Sequence, residues 1–317
     1  MCIAFITTAH PHYPLILISN RDEYLSRATA PADWWSPPYS YVLGGHDLER
    51  EEKGTWLGIT KQGRVAVLTN FKEDGDLPKA SKSRGGIIKE FLATSPHSSE
   101  TTAESAKRLV EGYRDEDVGG FSLVLGQLNP SKAKGDDYAG LAIISNRTPD
   151  LTRAKWIATG PDMTHGLSNS HYGDRTWPKV NQGEDLLDKV IKTHARKGGS
   201  EDHLITKLFE VLSVDSLPKK NNNETWEAYL FQLRKSIFIP AFGPEISSQK
   251  PADELAAAKD NEKIIAANSN AYGTQKQTVI LVDWQGRVVF VERSLYDQKG
   301  RSRAQDRKYE FQIETPS

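Results

Sequence analysis

Two apolar runs stand at the start of this chain, Ile3-Ala4-Phe5-Ile6 and Leu15-Ile16-Leu17-Ile18, with a short loop between them. Runs so short and so rich in isoleucine read as buried β-strands, which commits the first residues to the interior of a sheet. The second run ends abruptly in Asn20-Arg21-Asp22-Glu23, and the first is preceded by the chain's only cysteine, Cys2. Chemistry is expected where these polar groups and the thiol lie.

Methionine aminopeptidases remove Met1 when the next side chain is small, so a mature chain can begin at Cys2 with both a thiol and a free α-amine. An ordinary thiol titrates near about 8.5 and an α-amine near about 8, so the amine is suited to take the thiol proton close to neutrality. A nucleophile activated by an adjacent amine is an established covalent strategy. The alternative is a small hydrophobe on an edge strand, since free cysteines are commonly buried and inert.

Lys and Arg number 41 against 42 Asp and Glu, so no global field points to nucleic acid or an acidic membrane. One cysteine excludes an intramolecular disulfide framework and an all-cysteine metal site, and no metal centre is expected. No stretch approaches a run of about 18 apolar residues, and the N-terminus lacks a secretory signal. A soluble protein of a reducing compartment without a transmembrane segment is expected, and sequons at Asn146 and Asn223 are expected to stay unused there.

Along the chain, Ala30-Pro31-Ala32-Asp33-Trp34-Trp35-Ser36-Pro37-Pro38 is read as irregular, because its prolines remove donors and fix φ. Gly54–Ile59 and Arg64–Asn70 form a hairpin around Gly63, with Asn70 closing its strand as Asn20 closes the earlier one. Ser83-Arg84-Gly85-Gly86 opens a helix carrying Ile87, Ile88, Phe91 and Leu92. A capping box from Thr101 to Glu104 opens another, with Ala103, Ala106, Val110 and Tyr113 as its buried stripe. Strands are expected at 121–125, 141–144 and 155–158. Proline 178 starts a helix stopped by Gly198-Gly199, and Glu201-Asp202 starts the next. The C-terminal part returns to strands at 264–267, 278–282, 287–291 and 309–313. Residues 213–225 and 240–262 are read as surface insertions. No boundary divides two cores, so 1–317 is read as one domain with both ends in the same sheets and helices outside.

Met1-Cys2-Ile3, Asn20-Arg21-Asp22-Glu23, Gly54-Thr55-Trp56-Leu57-Gly58-Ile59, Leu68-Thr69-Asn70, Gly166-Leu167-Ser168-Asn169, Tyr272-Gly273-Thr274 and Val291-Glu292-Arg293-Ser294 occur in this order over nearly the full length. In these blocks the chain resembles the Asn-Arg-Asp-Glu proteins, also called the transport and Golgi organisation protein 2 family. That family is similar in turn to the N-terminal-nucleophile hydrolases. The resemblance implies an α+β fold, a four-layer αββα sandwich of two antiparallel sheets between helices. It implies Cys2 as nucleophile, Arg21 as the group favouring its thiolate, Asp22 as the orienter of the α-amine, and Asn70 and Asn169 as oxyanion or substrate donors.

Asn20, Glu23, Trp56 and Arg84 are added as binding residues. One conflict stands out: Arg21 and Asp22 are adjacent, and adjacent strand residues point to opposite faces. If Asp22 and Asn20 face Cys2, Arg21 and Glu23 face away.

The resemblance further implies a cytoplasmic protein, associated with Golgi or mitochondria, with a role in Golgi organisation and secretion, lipid or acyl-CoA homeostasis, or haem trafficking. The implied partners are a hydrophobic small molecule (acyl-CoA, lipid or haem) bound in a cleft at Cys2, and secretory-pathway proteins. No cofactor is required. Haem is possible as a ligand, with Cys2, His165 or His171 as axial candidates. The alternative is an active cysteine hydrolase that cleaves an acyl amide or thioester.

Overall fold

The computed structural model describes residues 2–71, 82–113, 118–129, 140–147, 154–221, 223–242, 271–296 and 302–314. Its strands are β1 (Ile3–Thr7), β2 (Leu15–Tyr24), β3 (Thr29–Trp34), β4 (Val42–Asp47), β5 (Leu57–Thr60), β6 (Arg64–Asn70), β7 (Phe121–Gln127), β8 (Leu141–Ser145), β9 (Lys155–Ile157), β10 (Thr164–Leu167), β11 (Tyr272–Val282), β12 (Arg287–Tyr296) and β13 (Ser302–Gln312). Its helices are α1 (Arg84–Leu92), α2 (Thr102–Gly112), α3 (Pro178–Lys197), α4 (Glu201–Leu212) and α5 (Trp226–Gln232).

The strands form two antiparallel sheets. One has the order β10-β1-β2-β11-β12-β13 and the other runs β3-β4-β5-β6-β7-β8-β9. The first sheet therefore joins the two ends of the chain, as expected. Alternation along β1 and β2 sorts their side chains by layer. Ala4, Ile6, Leu15 and Leu17 meet Leu57, Ile59, Val65, Val67 and Val124 of the second sheet. Ile3, Phe5, Ile16 and Ile18 pack instead on Leu187 and Ile191 of α3 and Leu204 and Leu208 of α4. The outer face of the second sheet is covered by α1 and α2 through Ile87, Ile88, Phe91, Leu92 and Leu109. These three apolar layers make a four-layer αββα sandwich.

Local signals behave as local physics dictates. Gly63 (φ 81°) and Gly286 (φ 84°) turn the two hairpins whose sequences echo each other, a conformation cheap only for glycine. Thr101 and Glu104 form both halves of the capping box. Pro178 opens α3, and Gly198 ends it in the left-handed region at φ 67°.

Four expectations change. Residues 29–34 form a strand despite Pro31, because β3 is an edge strand with a register shift between Ala30 and Asp33 that absorbs the missing donor. The buried side of α2 is Ser105, Ala106 and Leu109, while Ala103 faces solvent. Strand β10 and helix α5 were not foreseen, being too short to show a period. Strand β13 begins at Ser302, seven residues before the expected start. Residues 213–221 are irregular and largely exposed. The expected strand at 264–267 and nearly all of the insertion at 240–262 lie outside the described residues.

Candidate functional site

Cys2 precedes β1, which lies between β10 and β2. The Ser168 hydroxyl, just past β10, donates to the Cys2 carbonyl oxygen at 2.8 Å. On the other side the Cys2 thiol lies 3.8 Å from the backbone oxygen of Asp22. Two neighbouring strands thus hold the cysteine at the rim of the sheet.

A cleft of about 340 Å³ opens there, lined by Cys2, Arg21, Glu23, Trp56, Asn70 and Arg84 among others. Six of the nine expected site residues therefore share one space. The strand alternation resolves the conflict seen in the sequence, in the reverse of the conditional reading. Arg21 and Glu23 face the cleft with Cys2, whereas Asn20 and Asp22 face the helix layer.

Asn20 is fully buried, and its amide donates to the carbonyls of Leu212 at 2.8 Å and Ile237 at 2.9 Å. It does not reach the cleft, so the expected binding role is replaced by a structural one: it satisfies two buried carbonyls near the end of α4. Asp22 is also buried, and its Oδ1 accepts the Thr274 hydroxyl at 2.7 Å. Burial pushes its carboxyl up, while the amino-terminal charge first, then the Lys179 ammonium and the Thr274 hydrogen bond, oppose that shift.

Asn169 is buried and donates its side-chain amide to the Asn70 backbone carbonyl. Its amide nitrogen is thereby engaged, and Asn70 is the asparagine that lines the cleft.

Arg21 lies over Trp56, its guanidinium carbon 4.6 Å from the ring centroid. Its Nη1 donates to Gln275 Oε1. The Cys2 thiol is pushed up chiefly by burial; the amino-terminal charge and Arg21 pull the other way, and Asp22 adds to the rise. The thiol therefore needs a base before it can attack a carbonyl.

Elsewhere in the cleft Arg27, Arg50 and Lys82 join Arg21 and Arg84, against Glu23 and Asp47. Arg27 is held by Asp47 through bonds of 2.9 and 2.7 Å. Arg84 Nη1 donates to the Gly120 carbonyl at 3.2 Å. Trp56 and Leu68 supply the large apolar surface. Trp34 and Trp35 pack elsewhere in the sandwich.

Of the histidines, His165 uses Nδ1 on the Tyr172 hydroxyl at 2.7 Å and Nε2 on the Ala158 N–H at 3.3 Å. His171 stacks edge-on with Phe71, ring centroids 4.8 Å apart. Neither lines the cleft.

Sequence reasoning missed three residues here. Lys179 has no exposed surface, yet it follows Pro178 in the first turn of α3, where lysine ordinarily reaches water. Burial pushes its amine down, and Asp22 and then Cys2 pull it back. Thr274 precedes a bulge in β11, and Gln275 is its extra residue. The Tyr272-Gly273-Thr274 block was the only local signal for the last two.

Among the described residues no helix is long and apolar enough to cross a membrane. The chain is similar to the human Transport and Golgi organization protein 2 homolog, with 33% identity over 99% of this chain and 100% of that protein. It is 29% identical to an uncharacterised protein of Saccharomyces cerevisiae, over 93% of this chain and 92% of that one. Among solved structures, a variant of conjugated bile acid hydrolase from Clostridium perfringens aligns with a TM-score of 0.45 at 8% identity, covering 100% of this chain and 99% of that chain. That likeness is too distant to inform the chemistry. The family model for Transport and Golgi organisation 2 matches residues 1–297, and the chain belongs to that family.

Proposed function

We propose that the cleft at Cys2 binds an acyl conjugate with an anionic head, of the acyl-CoA type, and that this binding serves lipid homeostasis alongside the transport and Golgi organisation to which the family's name refers. The observation that carries this reading is the cleft lining. Arg21, Arg27, Arg50, Lys82 and Arg84 outnumber Glu23 and Asp47, while Trp56 and Leu68 offer an apolar surface beside the thiol. Cations set in a partly desolvated cleft favour phosphate and carboxylate groups. The volume suits one end of such a conjugate, with the remainder lying across the rim. Haem, with two carboxylates, would meet the same cations and is a competitor in the same assay.

Titration of the full chain with palmitoyl-CoA, palmitoylcarnitine, CoA and haem, followed by tryptophan fluorescence, tests this. Affinity for palmitoyl-CoA is expected to exceed that for palmitoylcarnitine, to fall as salt rises and to drop in Arg50→Ala. Equal affinity for the two acyl compounds, independent of salt, overturns the reading. We place the protein in the cytoplasm, with access to Golgi or mitochondrial surfaces; fractionation of cells expressing it checks this.

A second reading is favoured by the thiol itself, which lies in the cleft beside Arg21. With Met1 removed, the Cys2 α-amine would take the thiol proton and sulfur would attack the acyl carbonyl. The leaving group would depart with that proton, and water would cleave the acyl-cysteine to a free acid. Asn70, which lines the same cleft, would be the donor to the oxyanion. Intact mass spectrometry after exposure to acyl thioesters decides. An acyl mass on Cys2 that appears and then decays supports turnover, and its absence in Met1-free protein removes it.

A further inference from the structure

The bulge in β11 brings Gln275 onto Arg21 of the cleft. Strand β11 pairs with β2, Thr274 opposite Asp22 and Lys276 opposite Arg21, so Gln275 is the extra residue. A bulge re-aims one side chain while its neighbours keep the register. Here the neighbours serve the two faces of the sheet: Thr274 donates to Asp22 on the helix side, and Lys276 lies beside Arg21 on the other. Gln275 is left to bridge. Its Oε1 accepts a hydrogen bond from Arg21 Nη1 and its Nε2 donates to the Tyr24 carbonyl.

Arg21 needs such a tether. Lys276 is a like charge on the adjacent strand, and it is drawn aside by Glu292, with Nζ 3.7 Å from Oε1, and by Ser294 Oγ at 2.6 Å. Glu292 is itself anchored across the sandwich by the Ala32 N–H at 2.8 Å. The guanidinium thus lies over the Trp56 ring and is bonded at Nη1 to Gln275, with Glu23 first and then the Cys2 thiol as the charges that act on it most from the cleft.

We propose that Gln275 is a positioning residue that fixes Arg21 as the innermost anion-binding group of the cleft, so that anionic groups are selected at the thiol as well as at the outer rim. This goes beyond the acyl-conjugate reading and does not depend on turnover.

The test needs no identified ligand. In the full-length protein, Cys2 is alkylated with iodoacetate, which is anionic, and with iodoacetamide, which is neutral, and the ratio of the two rates is taken. A guanidinium held at the thiol raises that ratio. Gln275→Met, close in size but without the acceptor, is expected to lower it about threefold or more while the melting temperature holds, the ratio cancelling any change in thiolate fraction common to both reagents. Arg21→Lys keeps the charge, loses the fork and is expected to fall to a similar ratio. It also decides the matter should Gln275→Met fail to fold. An unchanged ratio in either folded variant overturns the proposal. Loss of palmitoyl-CoA binding selectivity in the wild type, with the alkylation ratio as expected, would sink the acyl-conjugate reading and leave this one standing.

Discussion

Asn169 donates its side-chain amide to the backbone carbonyl of Asn70, and beside it the Thr69 hydroxyl donates to the Ser168 carbonyl at 2.6 Å. Asn169 follows β10 in one sheet, and Asn70 closes β6 in the other. These contacts tie the two sheets together beside Cys2. Asn169→Ala strips the Asn70 carbonyl of a donor in a largely buried setting, a loss of about 1–3 kcal/mol. Urea unfolding measures it. Because Asn70 lines the cleft, palmitoyl-CoA affinity is expected to fall as well, and an unmoved midpoint with unmoved affinity would show that the clamp is idle.

Lys179 and Asp22 are opposite charges in a buried setting. Lys179→Met removes one and leaves Asp22 with the amino-terminal charge and the Thr274 hydroxyl, a loss of about 3 kcal/mol. Combining it with Asp22→Asn removes both charges, and the double variant is expected to be more stable than Lys179→Met alone. Denaturant midpoints of the wild type, both single variants and the double variant check the order, and a double variant no more stable than Lys179→Met contradicts it.

Helix α3 approaches β1 closely at one point. A Cβ on Gly183 would lie 1.9 Å from Phe5 Cζ. Gly183→Ala therefore forces the helix or the ring to move and is expected to destabilise by about 1–3 kcal/mol. Adding Phe5→Leu makes room and recovers part of the loss. Thermal unfolding of the single and double variants tells the two cases apart.

His10, 2% exposed, accepts the His12 N–H on Nδ1 at 3.1 Å, which leaves its Nε2–H to donate to His194 Nδ1 at 3.0 Å. Burial first, and the neighbouring His194 and His12 next, push His10 down to about 4. An unfolded histidine titrates near about 6.5. Below that pH the unfolded chain binds a proton that the folded chain refuses, so the stability is present above about 6.5 and is lost as pH falls toward about 4. The contribution of this group between about pH 6.5 and 5 is roughly 2 kcal/mol, and His10→Gln removes it. Urea unfolding at the two pH values, with and without the substitution, gives the difference directly.

The layers were legible in the sequence because alternation in strands and turn glycines are local signals. Gly63, Thr101 with Glu104, and Pro178 each dictate their structure from within a few residues. The site was legible as a set of positions, through Cys2, Arg21, Asn70 and their blocks, and less so as a set of roles. Lys179 reads as an exposed charge in a first helical turn, and only the landing of α3 on β10 and β1 buries it. Asn20 reads as a polar rim residue, yet its partners Leu212 and Ile237 lie about 200 residues away, a separation no local pattern encodes. The bulge at Gln275 depends on the register between β11 and β2, which is fixed by packing rather than by either strand.

The placement of β2 between β1 and β11 also orders events in time. The strand that carries Arg21 is made early on the ribosome, but its partner begins at Tyr272 and reaches Val282. Until that length has emerged, one long edge of β2 is unpaired and Arg21 lacks Gln275. The cleft is accordingly a late product of synthesis. A premature stop after residue 242 would leave every cleft-lining residue in the chain and still yield no assembled cleft.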